Sequence, residues 1–245
     1  MNIALIGYGK MGKEIETLAK ERGMFIKKIF TRENNTAGKS LNKQTLKDID
    51  IGFEFSAPDE AFYNIEALIA AEKNIVCGTT GWIDKISSVK KLVEEHHIGF
   101  VYSSNFSLGM NIFMNTVERA AMLLHRFNEY DVSIHETHHV RKPDSPSGTS
   151  FALASVLLQN FPRKTEIITE TAHQQLLPHQ LHVSSTRIGN VVGQHTVLFD
   201  SEVDSLELTH TAKNRRGFAL GAVIAAEWLF YTQQKGFFSM KDVLV

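Results

Sequence analysis

The sequence predicts an α/β fold: a Rossmann-like dinucleotide-binding domain joined to an α+β second domain with a mixed, mostly antiparallel sheet. Three observations carry this. The chain opens on a short apolar run, a glycine turn and an amphipathic helix. Apolar runs of strand length then alternate with helical runs as far as Tyr102, which is the rhythm of a parallel sheet with crossover helices. Between Lys164 and Glu207 the rhythm changes to extended segments punctuated by Gly189 and Gly193. With 245 residues there is chain enough for two modest cores.

Taken in order, residues 2–6 form the first strand and end in Gly7-Tyr8-Gly9-Lys10-Met11-Gly12, ahead of a helix through Ile15, Leu18 and Ala19. The glycines of this G-x-G-x-x-G serve three mechanical ends, namely a tight turn, close backbone approach to a pyrophosphate, and close helix–sheet packing. The motif alone is weak, and its place between a strand and a helix at the start of the chain is what raises it to a dinucleotide site. A second strand at 25–30 delivers Thr31, Arg32 and Glu33 to where an adenosine ribose would lie. Residues 34–47 read as a polar link. The third strand, 51–55, leads into Ser56-Ala57-Pro58, and an amphipathic helix follows over 61–71. The fourth, 74–77, ends in Gly78-Thr79-Thr80-Gly81, a small-residue turn at a strand's carboxyl end. A helix at 86–95, a strand at 99–102 and the loop Ser103-Ser104-Asn105-Phe106-Ser107 complete the repeating part.

A long helix is expected over 108–126 and a strand over 131–135, then a loop broken by two prolines and a glycine, then a helix over 149–158. That loop, from His135 to Thr149, concentrates more polar chemistry than any comparable window. Ser147, Gly148 and Thr149 sit at a helix start, where unsatisfied N–H groups and the helix dipole favour an anion such as a carboxylate. Lys142, His138 and His139 add donors. Read singly, the histidines are as well explained as solvated loop residues, and Ser147 or Thr149 as an ordinary cap. Their concentration in one loop favours the site. A metal site from His135, His138 and His139 is disfavoured, because adjacent residues on an extended chain point to opposite faces and the single cysteine, Cys77, is distant in sequence. Extended segments are expected at 180–187, 195–200 and 205–210, and an apolar helix from Arg215 to Tyr231.

A formal net charge of −1 offers no electrostatic footprint for nucleic acid or an acidic membrane surface. One cysteine excludes an intramolecular disulfide and fits a reducing compartment. The N-terminal residues lack a basic region followed by a long apolar stretch, and no run approaches membrane-spanning length, so the expected location is cytoplasmic.

The motifs together resemble the 4-hydroxy-tetrahydrodipicolinate reductase (dihydrodipicolinate reductase) family of the diaminopimelate route to lysine. The resemblance covers nearly the whole chain and rests on residues 7–12, Gly78-Thr79-Thr80-Gly81, residues 105–111, the long run from Glu136 to Thr149, and the later Arg187-Ile188-Gly189 and Gly193-Gln194-His195. It implies His138 as proton donor or acceptor and Lys142 as a second proton donor. It gives His139 and Gly148-Thr149 to the substrate's carboxylates, Ser147 lying beside them. NADPH or NADH would touch Gly7, Tyr8, Gly9, Lys10, Met11 and Gly12, then Thr31 and Arg32, Gly78, Thr79 and Thr80, and Ser103, Ser104, Asn105 and Phe106. No metal is implied. The implied domains are residues 1–106 with 216–245, which bind the dinucleotide, and 107–215, through whose sheet family members commonly form homotetramers.

The chemistry so implied is NAD(P)H-dependent reduction of a cyclic 4-hydroxy dicarboxylate, with hydride delivered to ring C4 and a proton from His138, whose unperturbed pKa near ~6.5 suits neutral pH. This sequence departs from the family at Thr31, where an acidic residue is usual, at Ala57, where some members carry arginine, and in its short 34–47 link. Without a carboxylate at Thr31, and with Arg32 beside it, NADPH is expected to serve at least as well as NADH, by about one to tenfold. A general Rossmann dehydrogenase acting on a sugar or amino acid is the rival enzyme, but a neutral sugar has no use for a helix N-terminus flanked by Lys142 and two histidines. A nucleotide-sensing regulatory module is the rival outside enzymes, and neither a DNA-reading helix nor a basic patch supports it.

Overall fold

A computed structural model describes residues 1–214 and 216–244. In chain order its elements are β1 (Asn2–Ile6), α1 (Lys10–Glu21), β2 (Phe25–Phe30), β3 (Ile51–Glu54), α2 (Pro58–Ala70), β4 (Asn74–Cys77), α3 (Ile86–Glu95), β5 (Gly99–Tyr102), α4 (Leu108–Leu124), β6 (Asp131–His138), α5 (Gly148–Asn160), β7 (Glu166–Ile168), β8 (Gln180–Arg187), β9 (Gly193–Asp200), β10 (Ser205–Ala212), α6 (Arg216–Thr232), β11 (Gly236–Phe238) and α7 (Met240–Val243). The chain divides into two compact units, Met1–Leu108 with Arg215–Val245, and Gly109–Asn214. Arg215, at the expected start of the last long helix, lies outside the described residues.

The first unit is a six-stranded parallel sheet in the order β11-β5-β4-β3-β1-β2. Strand β1 is apolar on both faces because both are covered. Ile3 and Leu5 face a cluster with Ile15 and Leu18 of α1 and Ala222 and Val223 of α6. Ala4 and Ile6 face the opposite cluster, with Ile65 and Leu68 of α2 and Val89 and Val93 of α3. Period-two alternation therefore divides one strand between two layers of helix. From β1 the chain moves outward to β2, then returns to β3 on β1's other side, so the strand order reverses there and opens the crevice in which such sheets bind ligands. Helix α2 begins at Pro58, ahead of the expected Ala61, since proline at the first helical turn loses nothing and Asp59 and Glu60 suit the positive end of the dipole.

The second unit is a mixed five-stranded sheet in the order β10-β9-β6-β8-β7. Its β10-β9-β6 half is antiparallel. The β6-β8-β7 half is parallel, which the expectation of a mostly antiparallel sheet understates: passage through α5 reverses the chain before β7 and β8. Phe113 and Val117 of α4 and Leu153 and Leu157 of α5 pack with Ile134, Val183, Val197 and Phe199 from the sheet in one buried cluster. Among the described residues no helix is long and apolar enough to cross a membrane.

Candidate functional site

In the first unit the candidate site is the crevice at the carboxyl ends of β1, β2 and β3. Gly7 takes φ +92°, a conformation that L side chains rarely adopt, and a Cβ there would collide with the Phe55 carbonyl. A Cβ at Gly12 would strike the Gly7 carbonyl, whereas one at Gly9 would meet open space. The three glycines thus supply a tight turn, an open approach and close packing. Gly9 is the N-cap of α1 and offers no capping side chain, so the helix N-terminus is left to an outside anion. The adjoining cavity, about 360 Å³, is lined by Gly7, Tyr8, Gly9, Thr31, Arg32, Glu33, Asn35, Phe55, Ser56, Ala57, Glu60 and Asn64. An open glycine cradle beside a cavity of this size fits a dinucleotide. Lys10 and Met11 belong to the first turn of α1.

The charges around this cavity are more acidic than the sequence alone indicates. Arg32 is paired with Asp59 at 2.5 Å, both groups largely exposed. The Thr31 hydroxyl donates to the Glu33 carboxylate, and that hydrogen bond lowers the Glu33 pKa. Below the crevice Glu54 is fully buried and accepts from Ser56 and Asn64, with the Cys77 thiol 3.6 Å away. Burial raises its pKa, against the opposing hydrogen bonds from Ser56, Thr79, Asn64 and Cys77.

Of the other expected cofactor residues, Gly78 is held close by Phe55, whose ring a Cβ would strike. Thr79 is turned inward, contrary to a side-chain role on the cofactor. Its hydroxyl lies 3.4 Å from the Glu54 carbonyl and its own carbonyl accepts from the Trp82 indole at 2.7 Å. Thr80 is exposed. In the following loop the Ser103 hydroxyl donates to the Asn105 carbonyl at 2.7 Å, Asn105 Oδ1 accepts from the Ser107 amide at 2.9 Å, and Phe106 is buried against Phe55. Ser104 is exposed.

In the second unit the candidate site grows from the end of β6. Val132, Ile134, Glu136 and His138 alternate onto the buried side of that strand, so apolar residues build the core and the last two turn the same face polar. His138 Nδ1 lies 3.0 Å from the Val192 carbonyl, which can only accept, so Nδ1 carries the hydrogen and Nε2 is the free ring nitrogen. Nε2 has no hydrogen-bond partner among the described residues. It lies 3.8 Å from Glu136 Oε2, and His195 Nε2 lies 3.5 Å from the same oxygen. Glu136 also accepts from Arg187 Nη2 at 2.7 Å, the Ser150 hydroxyl at 2.6 Å, the Ser185 hydroxyl at 3.1 Å and the Ser147 amide at 3.0 Å. Burial alone would push its carboxyl up, but donors from His195, Ser147, Ser150 and Arg187 outweigh that and hold it far below the usual carboxylate range. For His138, burial pushes the imidazole pKa down, partly offset by Glu136.

The start of α5 is occupied from within by a carboxylate of the chain itself. Ser147 is buried, its amide is given to Glu136 and its hydroxyl caps the helix, accepting from the Ser150 amide at 3.3 Å. Ser147 is therefore a wall of the site and not one of its exposed donors. Lys142 Nζ contacts both oxygens of Asp144, at 2.7 and 2.9 Å, and this ion pair holds the Asp144 carboxyl below its ordinary pKa. Gly148 is exposed and Thr149 half-buried, and His139 keeps a buried Nδ1 without a partner among the described residues. His135 points to the other face of β6, toward Ser184.

Glu136, Arg187, Ser150 and His195 were not singled out for a role from the sequence, although spacing held the signal for the first: Glu136 and His138 are two apart on a strand and share a face. Glu136, His138 and His195 also bring one ligand atom each within 4.8 Å of one another. A cation could span that distance, but Arg187 and three neutral donors already balance Glu136, so the cluster reads as an ion-pair network.

An open glycine cradle at a Rossmann switch point, with a histidine held on one nitrogen and free on the other in a second unit, defines a dinucleotide-dependent oxidoreductase. Similarity to known proteins narrows this. Models of the dihydrodipicolinate reductase N-terminus and C-terminus match residues 1–106 and 109–244. A 4-hydroxy-tetrahydrodipicolinate reductase of Christiangramia forsetii is 40% identical over 244 residues, covering 100% of this chain and 98% of that one. Its counterpart from Archaeoglobus fulgidus is 35% identical, with 100% of both chains covered. The dipicolinate-bound dihydrodipicolinate reductase from Paenisporosarcina sp. TG-14 shares the fold, with a TM-score of 0.74 at 21% identity over 98% of this chain and 97% of that one. The chain belongs to the dihydrodipicolinate reductase family.

Proposed function

We propose that the protein reduces 4-hydroxy-2,3,4,5-tetrahydrodipicolinate to 2,3,4,5-tetrahydrodipicolinate and water, consuming NAD(P)H and a proton, in lysine and diaminopimelate biosynthesis. The observation that carries this is full-length membership of the family, and the unpartnered His138 Nε2 supplies a group for its chemistry. Bound NAD(P)H supplies the hydride that reduces the ring. The chain's own residues do the rest. The glycine turn and the start of α1 receive the pyrophosphate, and the cavity bounded by Thr31, Arg32 and Glu33 receives the adenosine ribose.

Once the 4-hydroxyl has left with a neighbouring ring hydrogen as water, His138 gives its Nε2 proton to the ring that hydride addition leaves electron-rich and keeps the N–H electron pair, while the Val192 carbonyl holds the other nitrogen in place. Lys142 now holds the Asp144 carboxylate, and the exposed Gly148 opens helix α5. A substrate carboxylate takes Asp144's place on Lys142, assisted by Gly148, His139 and Thr149. The functional setting is cytoplasmic, and the assembly a homotetramer built through the second unit's sheet, with β10 an edge strand for pairing.

The test is a coupled assay in which dihydrodipicolinate synthase generates the unstable substrate in place and nicotinamide absorbance reports turnover. Wild-type enzyme should consume NAD(P)H only when both synthase substrates are present. His138→Gln should lower kcat by about 10² or more with KM nearly unchanged. Full activity in that variant removes His138 from the chemistry.

A further inference from the structure

The proton donor's surroundings contain a group whose part in the reaction nothing above assigns. Glu136 is completely buried, on the same face of β6 as His138 and two residues before it. Its Oε2 stands 3.8 Å from His138 Nε2 and 3.5 Å from His195 Nε2, and the two imidazoles meet edge to face at 5.2 Å between centroids. Two imidazolium rings that close repel, so protonation of one opposes protonation of the other. A carboxylate reaching into this pair bears directly on how strongly His138 holds a proton.

We infer that Glu136 is a positioning residue for the proposed proton donor: its carboxylate, set between His138 and His195, keeps the proton on His138 Nε2 and so fixes the pH range over which the enzyme works. This rests on His138 being the donor. Glu136 does not itself exchange the proton, since Arg187 and the Ser147, Ser150 and Ser185 donors fasten it as the anion. The other charged groups that face His138 oppose it. His195 from β9 and Lys142 from the loop after β6 both disfavour a second positive charge, Lys142 being partly balanced by Asp144. Arg187 from β8 acts through Glu136. Burial works in the same direction as these cations and lowers the His138 pKa, which leaves Glu136 as the principal charge opposing loss of the His138 proton. His138 loses its proton to the ring, the N–H pair remains on Nε2, and solvent restores the proton against the standing charge of Glu136.

A residue with a merely structural role would lower activity at every pH alike. Here two variants should instead move the His138 titration in opposite directions. Glu136→Gln removes the attracting charge, so the His138 ring proton resonance, assigned by its loss in His138→Gln, should titrate at lower pH. The alkaline limb of kcat/KM should move with it, giving roughly tenfold loss at neutral pH and recovery toward acid. His195→Gln removes a repelling charge, and both readouts should move to higher pH. Should Glu136→Gln fail to fold, His195→Gln decides alone. A His138 titration unmoved by either folded variant, or moved the same way by both, overturns the inference. Resonances that shift while the kcat/KM limb stays fixed support the coupling and overturn the assignment of His138 as donor.

Discussion

Arg32 shows how a single side chain's worth depends on its neighbours. The sequence offers it as a free cation for a 2′-phosphate, yet it is held by Asp59, and Glu33 beside it on the cavity wall accepts from Thr31. An exposed ion pair is worth about 0.2–1 kcal/mol, so a phosphate replacing Asp59 gains little. The NADPH to NADH ratio of kcat/KM therefore belongs at the lower end of the expected one to tenfold. Asp59→Ala should raise that ratio by about three to fivefold, and Arg32→Ala should bring it to or below about one, since tenfold corresponds to roughly 1.4 kcal/mol. Steady-state kinetics with both cofactors decides it: equal ratios in wild type and both variants would mean that Arg32 never meets the phosphate.

At the scale of elements, β6 and the approach to β9 together place His138, the proposed donor. A Cβ at Gly193, the first residue of β9, would stand 2.7 Å from His138 Cε1 and 3.2 Å from Nδ1. Gly193→Ala must therefore displace the imidazole and lengthen its bond to Val192. The expected result is a fall in kcat of about tenfold or more with the thermal midpoint nearly unchanged, because the strand's own pairing survives. Unchanged kcat would show that the placement of the ring is unimportant. This pair also marks the limit of what the sequence disclosed. Strand β6 was legible as far as His135, where apolar alternation ends. Its last residues are polar, and they stay in the strand because β8 and β9 pair with them and Arg187, Ser147 and Ser150 satisfy Glu136. Such partners come from residues as distant in sequence as His195, opposite Glu136 in β9, which no local pattern encodes. Strand β11 escaped notice for another reason: Gly236–Phe238 is too short to show a period, and only its place beside β5 makes it a strand. The glycine turn, by contrast, was fully legible because its constraints are local.

At the scale of the whole molecule, two carboxylates buried among the described residues, Glu54 and Glu136, respond to pH in opposite senses, one in each unit. Glu54 in the first unit has its pKa raised, chiefly by burial, so its contribution is fully present below the unfolded carboxylate range and is lost as pH rises through its folded value. Glu136 in the second is lowered despite burial, by its hydrogen bonds. Its contribution is present above the unfolded value and lost as pH falls below it. The units can be watched separately, since both tryptophans, Trp82 and Trp228, lie in the first. As pH falls below about 4, circular dichroism should report loss of structure before tryptophan fluorescence does, because the second unit is the one losing its anion. Glu54→Gln cannot ionise and should gain thermal midpoint relative to wild type as pH rises from about 4 to 8, read by fluorescence. A difference that stays constant over that range would mean Glu54 does not titrate on folding, and coincident acid transitions by the two probes would mean that Glu136 does not set the second unit's acid limit.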